Sequence, residues 1–198
     1  SFGAAISGSG QNLTLDTGLT SGTISVTGAV GSGAALGTLT ISKSAGTTFS
    51  STVNAATIAL TDSKVSTAVT FSDSVTATTG LSAAAGTAAY NVVFNGSSNT
   101  IAGATTFSNS GTVTFGNGGD TIAFTGGVTA TAPSSRTING TVSAAGTGVI
   151  NLGTVSITGT STVGGTSTGQ ITLGNAILSL HNAGTLQWTR PGNIAASH

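Results

Sequence analysis

One short phrase recurs through the chain: apolar residues alternating with Ser, Thr or Asn, closed by a Gly-rich turn. It appears as NLTLDTG (12–18), TISVTGAV (23–30), TLTISKS (38–44), TIALTDS (57–63), AVTFSDSVTATTG (68–80) and YNVVFNG (90–96). It continues as TTFSNSG (105–111), TVTFGNG (112–118), DTIAFTGG (120–127), TINGTVSAAG (137–146), VINLGTVSITG (149–159), QITLGNAILSL (170–180) and TLQW (185–188). Period-two alternation marks half-buried strands, and Gly and Asn mark the turns between them. Helix signals are nearly absent, and the Ala-rich stretch LSAAAGTAAY (81–90) is cut by Gly86. Units returning at roughly 7 to 20 residues point to a solenoid, in which no coil buries its apolar side alone.

Composition supports this. Ser and Thr make up one third of the chain, Gly contributes 31 residues and Pro only 2. Charged residues are 4%, against roughly 25% in an ordinary domain, and there is no Glu. Disordered chains tend to be charged and poor in β-branched residues; this one is rich in Val, Ile and Thr, which favour extended backbone. The expected fold is all-β, a parallel β-helix or solenoid, with a β-sandwich as the alternative. An outer-membrane barrel would want aromatic girdles, and aromatics are 5% here. At about 20 residues per coil and about 4.8 Å per step, some ten coils would make a rod on the order of 45–50 Å long. Asn95, Asn109, Asn117, Asn139, Asn151 and Asn175 are the expected corners, since Asn tolerates positive φ. The domain reading is one solenoid over 1–185 and a distinct tail or cap over 186–198, which holds Trp188, Arg190, Pro191 and His198.

A formal net charge of +0 leaves nothing to hold nucleic acid or anionic lipid, and neutral surfaces associate readily. There is no Cys, so disulfides and thiolate metal sites are excluded. No apolar run approaches the roughly 18 residues of a spanning helix. With only Lys43, Lys64, Arg136 and Arg190 open to a trypsin-like protease, the profile suits the outside of a cell, and Ser1-Phe2-Gly3 reads as the start of a mature chain.

Several patterns raise chemistry. FGNGGDTIA (115–123) places Gly116, Gly118, Asp120 and Ile122 where a calcium-binding nonapeptide wants them, with Gly119 as filler and Phe115 where its first Gly belongs. One copy supplies one carboxylate, whereas Ca²⁺ takes six to eight oxygens, so a plain corner capped by Asp120 is the preferred reading. Asp62 and Asp73, eleven apart, are the one pair of acids that could stack on adjacent coils for glycoside chemistry. Lys64 reads as a surface ion-pair partner of Asp62. His181 and His198 stand alone, with no nucleophile elbow. Thr-x-Thr units (Thr38/Thr40, Thr76/Thr78, Thr112/Thr114, Thr129/Thr131, Thr160/Thr162, Thr166/Thr168) could order water on a flat face as in ice-binding solenoids, or simply occupy solvent-facing strand positions. Phe71, Phe94, Phe107, Phe115 and Phe124 could form a carbohydrate-stacking ladder or an internal stack. The sequons at Asn12, Asn95 and Asn139 carry no inference. No catalytic, cofactor or metal residues are assigned.

GTLTISKSAGTTFSSTVNAATI (37–58) and GVINLGTVSITGTSTVGGT (148–166) resemble the passenger repeats of autotransporters and of large haemagglutinin-type exoproteins. That resemblance implies a right-handed parallel β-helix displayed outside a Gram-negative cell. The Asn-Pro-Asn motifs of the two-partner secretion domain are missing, so it extends to the fibre part. The expectation is therefore a non-enzymatic, extracellular structural subunit that partners with itself in a filament or surface layer. The alternative is an adhesin for cell surfaces or glycans, and an ice-binding protein or polysaccharide-active β-helix enzyme follows behind. SFGAAISGSG at the start reads as a flexible apolar segment available to a neighbouring copy.

Overall fold

A computed structural model describes residues 1–174 throughout and residues 179–188 as backbone. The first level of the structure holds β1 (Ile6–Ser7) and β2 (Leu13–Asp16), and the second β3 (Ile24–Val26), β4 (Val30–Ser32) and β5 (Leu36–Lys43). The third has β6 (Thr47–Phe49) and β7 (Val53–Leu60), the fourth β8 (Ala68–Phe71) and β9 (Val75–Ala83). The fifth has β10 (Asn91–Phe94), β11 (Ser98–Ile101) and β12 (Thr105–Phe107). Then come β13 (Thr112–Phe124) with β14 (Val128–Thr129), β15 (Ser135–Ala144) with β16 (Ile150–Asn151), and β17 (Ser156–Gly165) with β18 (Ile171–Thr172). β19 (Ser179–Trp188) begins the next level.

Every ladder is parallel, each strand lying on the equivalent strand one coil away. This is a parallel β-solenoid, and it removes the antiparallel sandwich and barrel alternatives. One continuous column of partners runs Phe2, Val26, Phe49, Phe71, Phe94, Phe115, Ile138 and Ile157. Those eight levels are joined by seven turns, and Leu180 of β19 pairs with Ile157 above them. The expectation of some ten coils is corrected to about seven turns. Each coil carries three strand segments and three corners, so Phe71 and its partner Phe94 are 23 positions apart (94 − 71). Seven turns at about 4.8 Å give a rod of roughly 34 Å.

The three segments make three faces. The first contains β3, β6, β8, β10 and the opening halves of β13, β15 and β17. The second runs through β1, β4, the opening of β7 and β9, β11 and the closing halves of β13, β15 and β17. The third runs through β2, β5, the ends of β7 and β9, β12, β14, β16 and β18. Alternation along each segment sends Val, Ile, Leu and Phe inward, where they are buried, and Ser and Thr outward. Stacking like on like then builds the core.

The Phe residues form its spine. Phe49 lies over Phe71 with centroids 5.3 Å apart and planes 7° apart, and Phe71 lies over Phe94 at the same distance. Phe107 meets Phe94 and Phe115 edge-on, and Phe124 meets Phe115 at 84°. These rings are fully buried, so they are an internal stack and offer no ladder to a carbohydrate.

Where the described backbone needs positive φ, glycine supplies it nearly everywhere. No described Asn takes a positive φ; among non-glycine residues of the described chain only Ser66 does. Asn95 and Asn109 lie in corners, Asn117 and Asn139 where the ladder register shifts, and Asn151 within β16. Asn175 lies outside the described residues. Inside β4, Gly31 admits no side chain: its φ is 72°, and a Cβ there would sit 2.0 Å from the Asn54 carbonyl one coil away. The start of the chain is not a free arm. Phe2 N–H donates to the Ser25 carbonyl and Ile6 N–H to the Ala29 carbonyl, both at 2.8 Å.

Candidate functional site

The hydroxyl rows come first, because alternation leaves them outside. On the first face, Ser25, Thr48, Thr70, Val93, Thr114, Thr137 and Ser156 are successive ladder partners. Only Val93 interrupts that row of hydroxyls. Beside it, Gly46 and Ala68 leave a shallow groove of about 500 Å³, also lined by Thr23, Ser25, Thr48 and Thr70. The third face carries a second row: Thr14, Thr40, Ala59, Ser82, Thr106, Thr129, Asn151 and Thr172. The Thr-x-Thr units do not gather on one plane. Thr112/Thr114 belong to the first face, Thr160/Thr162 to the second and Thr38/Thr40 to the third.

The second candidate is the first coil. Strands β4 to β17 pair on both sides, whereas β1 and β2 pair on one side among the described residues. Its apolar side chains are correspondingly uncovered: Phe2 is 43% exposed, and Ile6 and Leu13 are half-buried against the core.

Among the described residues the ionisable groups are spread along the rod, with Asp16 and Lys43 in register. Asp62 is turned inward, 4% exposed. Its Oδ2 accepts from the Thr87 amide and hydroxyl at 3.0 and 2.6 Å, and its Oδ1 has no partner. Lys64 Nζ donates to the Thr20 carbonyl at 2.9 Å. The expected Asp62–Lys64 surface pair is therefore not formed, because the carboxylate faces the coil interior. Asp62 and Asp73 do not stack either: eleven residues is about half a coil, so they occupy different corners. Asp73 caps its own turn through the Ser74 amide. Asp16 accepts from Ser42 Oγ at 2.7 Å and from the Gly18 amide, and these bonds, helped by nearby Lys43, hold its carboxyl below the ordinary range.

The FGNGGDTIA loop takes the plain form. Gly116, Gly118 and Gly119 have φ of 86°, 135° and 75°. Asp120, nearly buried, accepts the Asn117 amide on Oδ2 at 2.7 Å and closes the turn. Among the described residues no three His, Asp or Glu side chains converge to hold a metal ion.

Sequence reasoning passed over a buried polar seam at the corner between the third and first faces. Ser44 and Ser63 share a hydrogen bond of 3.1 Å, and Thr47 and Thr67 extend it. Tyr90 Oη donates to the Ala84 carbonyl at 2.7 Å; burial, and then the charge of Asp62, push its pKa upward. Asn109 Nδ2 donates to the Tyr90 carbonyl at 3.0 Å. Arg136 pairs in register with Val113 in an inward column, where Nε donates to the Thr154 carbonyl and Nη1 to that of Pro133. Burial lowers its pKa. The available signal was position: Ser44, Ser63 and Asn109 follow the last strand of a coil.

His181 pairs with Thr158 through the backbone of β19, and that strand pairs with β17 as far as Trp188, inside the segment read as a tail. The side chains of His181 and Trp188, together with Arg190, Pro191 and His198, lie outside the described residues. Comparison with protein-family models, with curated proteins and with solved structures finds no match to this chain.

Proposed function

We propose that this chain is a structural rod of an extracellular filament or surface layer, lengthened by strand addition between copies. The observation that carries the reading is the first coil, which pairs on one side among the described residues. Where no further coil covers it, its outer edge presents main-chain N–H and C=O groups in the geometry that every later coil satisfies, above an apolar rim of Phe2, Ile6 and Leu13. An open edge of this kind is a template for another strand. The four acids and four cations in the chain supply little repulsion against approach. Its extracellular setting is supported by composition and by the passenger-repeat resemblance.

Sedimentation velocity and negative-stain microscopy over a concentration series test it. Rods in multiples of one subunit length are expected, and the double variant Phe2→Asp, Ile6→Asp should remain monomeric with an unchanged far-ultraviolet spectrum. A monomer at every concentration would count against the proposal. A second reading, a glycan-binding stalk, draws support from the hydroxyl row and groove of the first face. Glycan-array binding that is lost in Thr48→Val with Thr70→Val would favour it.

A further inference from the structure

The chain contains three Asn-Gly dipeptides, at 95–96, 117–118 and 139–140. Asn followed by Gly is prone to intramolecular attack: the backbone nitrogen of the glycine loses its proton and bonds to the Asn Cγ. The Cγ–Nδ2 bond breaks, ammonia leaves, and a succinimide remains. Water then opens the ring at one of its two carbonyls, giving aspartate or isoaspartate. The reaction needs only water, and its rate depends on how freely the glycine nitrogen reaches Cγ.

The fold treats the three sites differently. Residues 116–119 are skipped by the ladders on both sides. β10 pairs up to Phe115, β11 pairs from Thr121, and the β15 register jumps from Phe115 to Asp120. Asn117, Gly118 and Gly119 are exposed, and a Cβ placed on Gly118 or Gly119 would meet nothing within 4 Å. At 95–96 the backbone is pinned. Gly96 is buried so closely against Asp73 that an added Cβ would lie 2.4 Å from its carbonyl, and the Gly96 carbonyl accepts from Asn99 Nδ2 at 2.7 Å. At 139–140 the attacking atom is engaged: the Gly140 amide donates to Ser161 Oγ at 3.3 Å, and Gly140 pairs with Asp120.

We infer that Asn117 is a site of spontaneous succinimide formation, converting in the folded protein to aspartate and isoaspartate while Asn95 and Asn139 are protected. The product adds one negative charge to a chain whose formal net charge is +0, three residues from Asp120. The isoaspartate form also routes the main chain through Cβ, lengthening this corner.

Incubating the folded protein at 37 °C and neutral pH, with peptide mapping and isoaspartate-sensitive fragmentation at intervals, tests this. A parallel incubation in concentrated urea gives the rates of the three dipeptides in the open chain. Folded protein should convert at residue 117 at least about tenfold faster than at 95 or 139, a contrast of roughly 1.4 kcal/mol in barrier. In urea the three rates should come together, and isoelectric focusing of the aged folded sample should show one new acidic band that Asn117→Ser lacks. Conversion at 95 or 139 matching that at 117 in the folded state would overturn the inference. So would an Asn117 that stays intact when folded yet converts in urea.

Discussion

Single side chains in this protein matter most where they break the apolar columns. Asn99 follows Val53 and Val75 on the second face and precedes Ile122, with which it pairs. Its surface is 1% exposed. The amide earns that place by accepting the Val75 N–H at 3.1 Å and donating to the Gly96 carbonyl. Asn99→Val would match the column and still destabilise by about 1–3 kcal/mol, since main-chain groups of Val75, Gly96 and Thr121 lose this partner; urea denaturation measures this. Tyr90 gives a pH signature. Its folded pKa is raised, so the folded state keeps the phenol neutral while the unfolded chain ionises near the ordinary value of about 10. The unfolded state therefore binds fewer protons above that pH, and stability falls as pH rises. Thermal melts from pH 8 to 11 should show a downward slope beginning near pH 10 that is reduced in Tyr90→Phe. Asp16 has the opposite sense: its pKa is depressed, so what it contributes is present at neutral pH and fades as acid protonates it.

Strand segments differ in stability according to what they stack upon. Phe94 touches Phe71, Phe107 and Phe115, so Phe94→Ala opens a cavity crossed by three rings and should cost about 3–5 kcal/mol. Val65, 55% exposed on a corner, should tolerate Ala with a change within about 0.5 kcal/mol. The same denaturant series resolves both, and comparable losses would mean that the aromatic stack is not the spine. These segments also show how far sequence alone reaches. TLTISKS and YNVVFNG alternate cleanly and became β5 and β10. The strands that escaped notice were β1, β6, β11 and β14. They are two to four residues long, too short for period two to emerge, and β11 (SNTI) places an Asn inward. The number of coils was also hidden, because the step between partners varies from 19 (157 − 138) to 24 (26 − 2) with how many corner residues each turn absorbs. The calcium-like phrase illustrates the limit at a candidate site. Its glycines are in register for ion binding, but whether neighbouring coils supply further carboxylates is a property of stacking, and Asp120 instead finds the Asn117 amide.

At the scale of the whole molecule, cohesion is nearly one-dimensional: each coil meets the coil above and the coil below, and stability is roughly a sum of coil and interface terms. In the middle levels both interfaces are present and the Phe stack runs through them, from Phe49 to Phe124. Among the described residues the first level has one interface, an exposed Phe2 and a half-buried Ile6 and Leu13. Opening should therefore begin at that end and cost least there, whereas opening the middle levels requires separating two ladders and the ring stack together. Of the described residues, amide hydrogen exchange read by mass spectrometry should show fastest exchange in residues 1–16 and slowest in residues 69–124. If copies add to the open edge as proposed, raising the protein concentration supplies the missing interface. Protection in residues 1–16 should then rise with concentration while that of 69–124 stays constant. Uniform protection along the rod at low concentration would mean that the coils open as one cooperative block, and the additive description would fail.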